Sequence, residues 1–213
     1  MARANKNKEA AIGSQNRTVG PNEAKSALTH CIKLQRPIMM WGAPGIGKSD
    51  IVKQIADSQK REVIDIRLPL WEPTDIKGIP YFDSNSGTMV WGAPSELPSE
   101  EFAAQFDHIV LFLDEMNSAA PSVQAAAYQL ILNRRVGTYK LPDNVMIVAA
   151  GNREADKGVT YRMPAPLANR FIHLELAVNF NDWFDWAVDK KIHNDVVGFL
   201  QFSKKDLYDF DPK

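Results

Sequence analysis

The feature that most constrains the fold is a glycine-rich loop between a short apolar run and a helical pattern. The loop fits the pattern G-x-x-x-x-G-K-[ST] and consists of Gly42, Ala43, Pro44, Gly45, Ile46, Gly47, Lys48 and Ser49. The apolar run Pro37–Trp41 predicts a buried strand, and the apolar residues of Ser49–Ser58 recur with helical spacing. A strand, a glycine-rich turn and a helix in this order predict a phosphate-binding loop. The alternative is a glycine-rich turn that carries a surface lysine.

The residues of this loop suit the triphosphate of a nucleotide. Glycines let backbone N–H groups approach the β-phosphate, and the amino terminus of the following helix attracts anions. Lys48 is expected to contact the β- and γ-phosphate oxygens, and the Ser49 hydroxyl to ligate Mg²⁺. We therefore predict ATP and Mg²⁺ as ligands. GTP is disfavoured, because no [NT]-K-x-D motif follows the loop.

The segments around the loop predict an α/β fold with a mainly parallel sheet. Apolar residues at offsets 0, 3, 4, 7 and 8 predict helices that begin near Pro21 and at Pro121, and Cys31 lies on the apolar face of the first. Short apolar segments that alternate with helical patterns are typical of a parallel sheet. After Pro37–Trp41, the predicted strands are Glu62–Leu68, His108–Leu113, Val145–Ala150 and Phe171–Leu176.

Other segments interrupt or flank this pattern. Residues 1–18 are polar without a clear period, and we predict a flexible arm. The predicted core covers residues 19–176, with a β-hairpin insert near 69–98 and a second short hairpin at 134–144. Residues 177–213 predict two small helices.

Composition limits the class of protein. The 213 residues include 45% hydrophobic and 24% charged residues, and the net charge of −1 gives no strong attraction to nucleic acid. The single cysteine, Cys31, excludes a disulfide within the chain and fits a reducing compartment. The sequence contains no run of 18 apolar residues, so we predict no membrane span. We expect a cytoplasmic protein, or one in the host cytoplasm if the gene is viral.

Two predicted strands end in polar residues that could complete a nucleotide site. Asp114 and Glu115 follow the strand His108–Leu113. Asp114 would hold Mg²⁺, and Glu115 would accept the proton of an attacking water. Asn152 follows Val145–Ala150 and could orient that water without adding charge. The alternatives are carboxylates that cap a helix and an asparagine that forms a turn.

The stretches GAPGIGKS, IVLFLDEMN, VAAGN and APLANRF resemble those of AAA+ ATPases. EPTDIKGIP, PSVQAAAYQLILNRRVG and MPAPLANRF narrow the resemblance to the MoxR group, in the branch with a helix-2 insert. The resemblance covers about residues 19–202. It implies a three-layer P-loop fold with a five-stranded sheet of order 5-1-4-3-2, a helical lid and a homo-oligomeric ring, commonly a hexamer. It also implies that Asn152 is the sensor-1 residue.

The resemblance assigns Arg170 as an arginine finger that enters the ATP site of a neighbouring subunit. The alternative is a structural surface arginine, and Arg162 and Arg153 are weaker candidates for the same interface. The hairpins match the helix-2 insert and the pre-sensor hairpin of the family. Tyr81, Phe82 and Trp91 of the first hairpin could grip a peptide, although packing within the hairpin is the commoner role of aromatic residues at strand spacing. The lid departs from the family pattern, since only two helices are predicted and no sensor-2 arginine can be assigned.

Three functions remain open from the sequence. The first is an ATP-hydrolysing chaperone or remodeller, with a protein containing a von Willebrand factor A (VWA) domain as the implied partner. The second is a DNA-acting motor or loader, against which the near-neutral charge and the polar-to-acidic insert loop Asp83–Gly87 argue. The third is an ATP-dependent binding module with little turnover, because the lid is short.

Overall fold

The computed structural model describes residues 17–156 and 160–209. The strands are β1 (Arg17–Val19), β2 (Ile38–Trp41), β3 (Glu62–Arg67), β4 (Ile79–Asp83), β5 (Thr88–Gly92), β6 (Ile109–Asp114), β7 (Arg135–Val136), β8 (Tyr139–Lys140), β9 (Val145–Gly151) and β10 (Ile172–Leu176). The helices are α1 (Pro21–Lys33), α2 (Lys48–Ser58), α3 (Pro73–Lys77), α4 (Glu100–Ala103), α5 (Pro121–Asn133), α6 (Ala165–Ala168), α7 (Phe180–Asp189) and α8 (Asn194–Phe202).

The central sheet is parallel and has the order β1-β10-β2-β9-β6-β3. Its last five strands are the five predicted strands in the predicted order 5-1-4-3-2, so that part of the fold is confirmed. The prediction of five strands missed β1, which pairs with β10 at one edge. Arg17 and Thr18 belong to β1 and not to an arm, whereas residues 1–16 of that predicted arm lie outside the described residues. A three-residue strand with only Val19 buried is too short to give a periodic signal.

The sheet lies between two layers of helices, as predicted for a three-layer fold. Along β6, Val110 and Phe112 pack with residues of α1 and α2, whereas Leu111 and Leu113 pack with residues of α5 on the opposite face. Both β6 and β9 are buried along their whole length. Strands that are covered on both faces read as continuous apolar runs, which is why these two were visible in the sequence.

Both predicted hairpins are present, and they touch each other. In the first, β4 and β5 are antiparallel, and Asp83 pairs with Thr88, so the loop has four residues instead of the five predicted. The second hairpin consists of β7 and β8. The Thr138 hydroxyl donates to the Trp91 carbonyl at 3.2 Å, which joins the two hairpins.

The carboxyl-terminal part contains the two predicted helices, α7 and α8. The Asn22 N–H at the start of α1 donates to the Asp182 carboxylate of α7 at 2.9 Å. The Tyr208 hydroxyl donates to the Pro44 carbonyl at 3.1 Å, so the end of the described chain contacts the glycine-rich loop. None of the helices in the two described ranges is long and apolar enough to cross a membrane.

Candidate functional site

The glycine-rich loop connects the end of β2 to the start of α2 at the carboxyl edge of the sheet. Gly45 and Gly47 have φ values of 73° and 91°, in the left-handed region that glycine tolerates best. A Cβ atom on either residue would meet no atom within 4 Å, so the loop surrounds open space. The 11-residue helix α2 begins at this space and directs its amino terminus toward it. These features suit a bound anion, as the sequence predicted.

Lys48 lies at the centre of the site, with only 9% of its surface exposed. Its ammonium donates to the carbonyls of Gly42 at 2.8 Å and Ala43 at 3.1 Å, and to the side-chain oxygen of Asn152 at 3.0 Å. Burial lowers the pKa of Lys48, while nearby carboxylates, Asp114 most strongly, oppose that shift. The structure therefore brings together two of the predicted site residues from segments about a hundred positions apart in the chain.

Ser49 and Asp114 form the predicted pair for a metal. The Ser49 hydroxyl donates to a carboxylate oxygen of Asp114 at 3.0 Å, and Asp114 is only 8% exposed. Mg²⁺ in nucleotide sites takes one or two protein oxygens and completes its octahedron with water and phosphate oxygens. The pair fits that ligand set. Among residues 17–156 and 160–209, no group of three or more His, Cys, Asp or Glu side chains could hold a metal, and a nucleotide-bound Mg²⁺ needs none.

Glu115 directs its side chain toward solvent at the same edge of the sheet. Its φ of 52° lies in the left-handed region, which is uncommon for a residue with a side chain. The Glu115 N–H donates to the Asp114 carboxylate at 2.9 Å, which stabilises this turn. Strained backbone of this kind often occurs at functional sites, and here it separates an exposed carboxylate from a buried one.

Asn117 is a site residue that the sequence analysis missed. It is 2% exposed, and its side-chain amide donates to the Asn152 carbonyl at 2.7 Å and accepts from the Asn152 N–H at 3.1 Å. A Cβ atom on Gly151 would lie 2.4 Å from the Asn117 side-chain oxygen, so a larger residue at this position would displace the Asn117 amide. Asn117 thus fixes the backbone of Asn152. The sequence around Asn117 gave no signal, since its partner Asn152 lies 35 residues further along the chain.

Arg153, a weaker candidate for the finger, has partners within its own chain. Its guanidinium donates to Asp156 at 2.8 and 3.1 Å and to Glu175 at 3.2 Å. The pKa of Arg153 is raised, chiefly by the hydrogen bonds that its guanidinium donates to Asp156. Asp156 is 7% exposed, and its charge also acts on Lys48. These contacts favour a role within the subunit's own site.

Arg170 is not brought to the glycine-rich loop of its own chain. It is exposed and lies in the turn between α6 and β10, at the amino edge of the sheet. Ile172 pairs with Ile38, which precedes Gly42 by four residues, or about 13 Å along a strand. Arg162, the other weaker candidate, is also exposed. This geometry directs Arg170 outward, toward any neighbour on that side.

The model of the ATPase family associated with various cellular activities (AAA) matches residues 37–173, which is more than half of the chain. The chain belongs to the AAA family. The matched range contains the glycine-rich loop, the acidic pair, Asn152 and Arg170. The expectation of an AAA+ ATPase, drawn from the sequence motifs, is confirmed.

Two curated relatives are similar in sequence. Midasin from Giardia intestinalis is 26% identical over 208 residues, which cover 88% of this chain and 4% of midasin. The protein MoxR from Methylorubrum extorquens is 26% identical over 160 residues, which cover 72% of this chain and 44% of MoxR. The chain therefore spans less than half the length of either relative. The resemblance to MoxR is also confirmed.

Solved structures share the fold. A Cytophaga hutchinsonii protein assigned as an ATPase superposes with a TM-score of 0.57 at 19% identity, over 83% of this chain and 52% of that chain. A RuvB mutant from Thermotoga maritima superposes with a TM-score of 0.51 at 17% identity, over 77% of this chain and 48% of that chain. At these identities the likeness concerns the fold alone.

Proposed function

We propose that the chain binds Mg·ATP at the glycine-rich loop and hydrolyses it. The observation that carries the proposal is the convergence of Lys48 with Asn152, and of Ser49 with Asp114, around open space at one edge of the sheet. A phosphate oxygen would take the place of one of the oxygens that now accept from Lys48. Mg²⁺ would supply positive charge to the phosphates, and Ser49 and Asp114 would hold it.

The hydrolytic step needs a water that is oriented and deprotonated. Glu115 is the exposed carboxylate beside this edge, and it would accept the proton of the attacking water. The Asn152 side chain would orient that water through its amide, on a backbone fixed by Asn117. Glu115 follows β6 and Asn152 follows β9, and these two strands are adjacent in the sheet.

Completion of the site by a neighbour is the second part of the proposal. Arg170 is exposed at the opposite edge of the sheet from the loop, so it would serve the site of the next subunit in a homo-oligomeric ring, with six subunits favoured. An arginine supplied across an interface stabilises transition-state charge and is worth roughly 10³–10⁵ in rate.

The biological role that we propose is remodelling of a partner protein, with a VWA-domain protein as the partner class. The first hairpin supports a protein substrate, because Ile79, Phe82 and Met89 are 67%, 63% and 61% exposed. Apolar side chains on an exposed hairpin suit a peptide better than a phosphate backbone. Addition of DNA should leave the ATPase rate unchanged, whereas salt-sensitive stimulation by DNA would favour a motor that acts on DNA.

The decisive experiment measures ATP turnover per subunit against protein concentration, with mass photometry on the same samples. We expect turnover to rise as assemblies form. Arg170→Ala should lower turnover by about 10³-fold while ATP binding persists. Arg36→Ala is the matched control, since Arg36 is also exposed at the amino edge of the sheet. Full turnover in Arg170→Ala, or in a strictly monomeric protein, would refute the shared site.

A further inference from the structure

A hydrogen-bonded chain of side chains connects the glycine-rich loop to the turn that carries Arg170. The Trp41 indole N–H donates to Nδ1 of His173 at 2.8 Å. The other ring nitrogen of His173, Nε2, lies 2.7 Å from the Ala168 carbonyl. Trp41 is the residue directly before Gly42, and Ala168 is the last residue of α6. His173 therefore bridges the two segments.

The two partners determine the form of the His173 ring. An indole N–H can only donate, so Nδ1 must be the acceptor, and a carbonyl can only accept, so Nε2 carries the proton. Both ring nitrogens are thus used by a neutral imidazole with one tautomer. The rings of Trp41 and His173 are also stacked, with centroids 6.0 Å apart and planes 9° from parallel. No rotation of the ring keeps both hydrogen bonds, so its orientation is fixed.

His173 contacts both sides of Arg170. On the amino side, the Ala168 carbonyl accepts from His173 and also from the Phe171 N–H at 3.1 Å. On the carboxyl side, the Phe171 ring meets the His173 ring edge-on at 6.3 Å, and Phe171 is 7% exposed. The Arg170 N–H donates to the Leu167 carbonyl at 3.0 Å. Arg170 thus has a fixed backbone and an exposed side chain.

We propose that His173, joined to Trp41, is a positioning residue that holds the Arg170 turn so that the guanidinium reaches the neighbouring subunit's site. This inference extends the proposed function, because it depends on the role of Arg170 between subunits. It adds that the strand leading into one subunit's loop is connected to the arginine that the same subunit offers to its neighbour. The effect acts on the turnover of the neighbour and leaves nucleotide binding in the same subunit intact.

The test is His173→Phe, which keeps an aromatic ring between Trp41 and Phe171 but removes both hydrogen bonds. We expect turnover to fall by about 10- to 100-fold, the range that follows from a displacement of about 1 Å in a positioned group. ATP affinity and the unfolding temperature serve as readouts of the subunit's own site and fold. The matched control is His108→Phe at an exposed position just before β6. Trp41→Phe removes only the indole donor and should give a smaller loss, and it carries the test alone if His173→Phe does not fold.

Mixed assemblies separate the two ways in which turnover could fall. An excess of Glu115→Gln subunits, which keep Arg170 and His173 but lack the catalytic carboxylate, should restore turnover to His173→Phe subunits, as it should to Arg170→Ala subunits. The double variant Arg170→Ala/His173→Phe should be no slower than Arg170→Ala. Suppose that Arg170→Ala loses turnover, but His173→Phe keeps it or is not rescued by Glu115→Gln subunits. The positioning role of His173 is then refuted and the proposed function stands. If Arg170→Ala keeps full turnover, the shared site itself is refuted.

Discussion

Replacement of Asn117 by alanine should separate the stability of the core from the orientation of the Asn152 amide. The change removes two hydrogen bonds, at 2.7 and 3.1 Å, to the backbone of Asn152. Each buried partner left unsatisfied costs about 1–3 kcal/mol, and Asn152 is partly exposed, so we expect a total loss near the low end, about 2–3 kcal/mol. At this chain length that corresponds to a fall of about 4–12 °C in Tm.

Turnover should fall further than stability explains, because the Asn152 side chain loses its fixed backbone. A displacement of about 1 Å in a positioned group lowers rates by up to about 100-fold, so we expect a 10- to 100-fold loss in kcat with ATP affinity nearly unchanged. The matched control is Asn144→Ala, since the Asn144 amide also donates two hydrogen bonds, to the carbonyls of Ala103 and Phe106 at 2.8 Å. Calorimetry and steady-state ATPase assays of both variants provide the comparison. Equal Tm losses with equal, normal turnover in the folded fraction would show that Asn117 only supports the fold.

Three further predictions concern the site itself. Glu115→Gln should bind ATP like the wild type but lose at least about 100-fold in turnover, because the amide cannot accept the proton. If the variant turns ATP over at the wild-type rate in a steady-state assay, Glu115 is not the base. Asn152→Asp should weaken ATP binding more than ADP binding, by about 3 kcal/mol if the new charge lies about 5 Å from the γ-phosphate at an effective dielectric of 20; equal losses in calorimetric titrations would place Asn152 elsewhere. Since burial lowers the pKa of Lys48, affinity should decline as pH rises, starting below the pH at which an ordinary lysine loses its proton, and a flat profile in nucleotide titrations up to that pH would contradict this role.

The core fold was predictable because its signals are local. Three of the five predicted strands, β2, β6 and β9, are buried apolar runs, whereas β3 and β10 alternate in burial. The observed bounds of all five differ from the predicted ones by no more than one residue at either end, as for Glu62–Arg67 against the predicted Glu62–Leu68. The glycine-rich loop was predictable for a similar reason. The turn itself favours glycine at φ values of 73° and 91°, so the motif indicates the local backbone and the proposed phosphate site together.

The rest of the site depends on contacts between distant segments, which leave no local pattern. Asn117 was missed because its partner Asn152 is 35 residues away, and the role proposed for His173 depends on its contact with Trp41, 132 residues away. The contacts of Arg153, a weaker candidate for the interface, with Asp156 and Glu175 could likewise not be read from the sequence. The role of Arg170 stays a prediction, because its function would be exerted in a second subunit.

The contacts of Lys48 connect phosphate binding to the orientation of Asn152. All three partners of its ammonium are oxygens, and an ammonium has three protons to donate. A phosphate oxygen must therefore replace a partner instead of adding to the set. The backbone carbonyls of Gly42 and Ala43 belong to the loop, whereas the Asn152 oxygen belongs to a side chain that can turn. We infer that the Asn152 contact is the one exchanged, and that its amide is then free to bind a water while Asn117 holds its backbone in place.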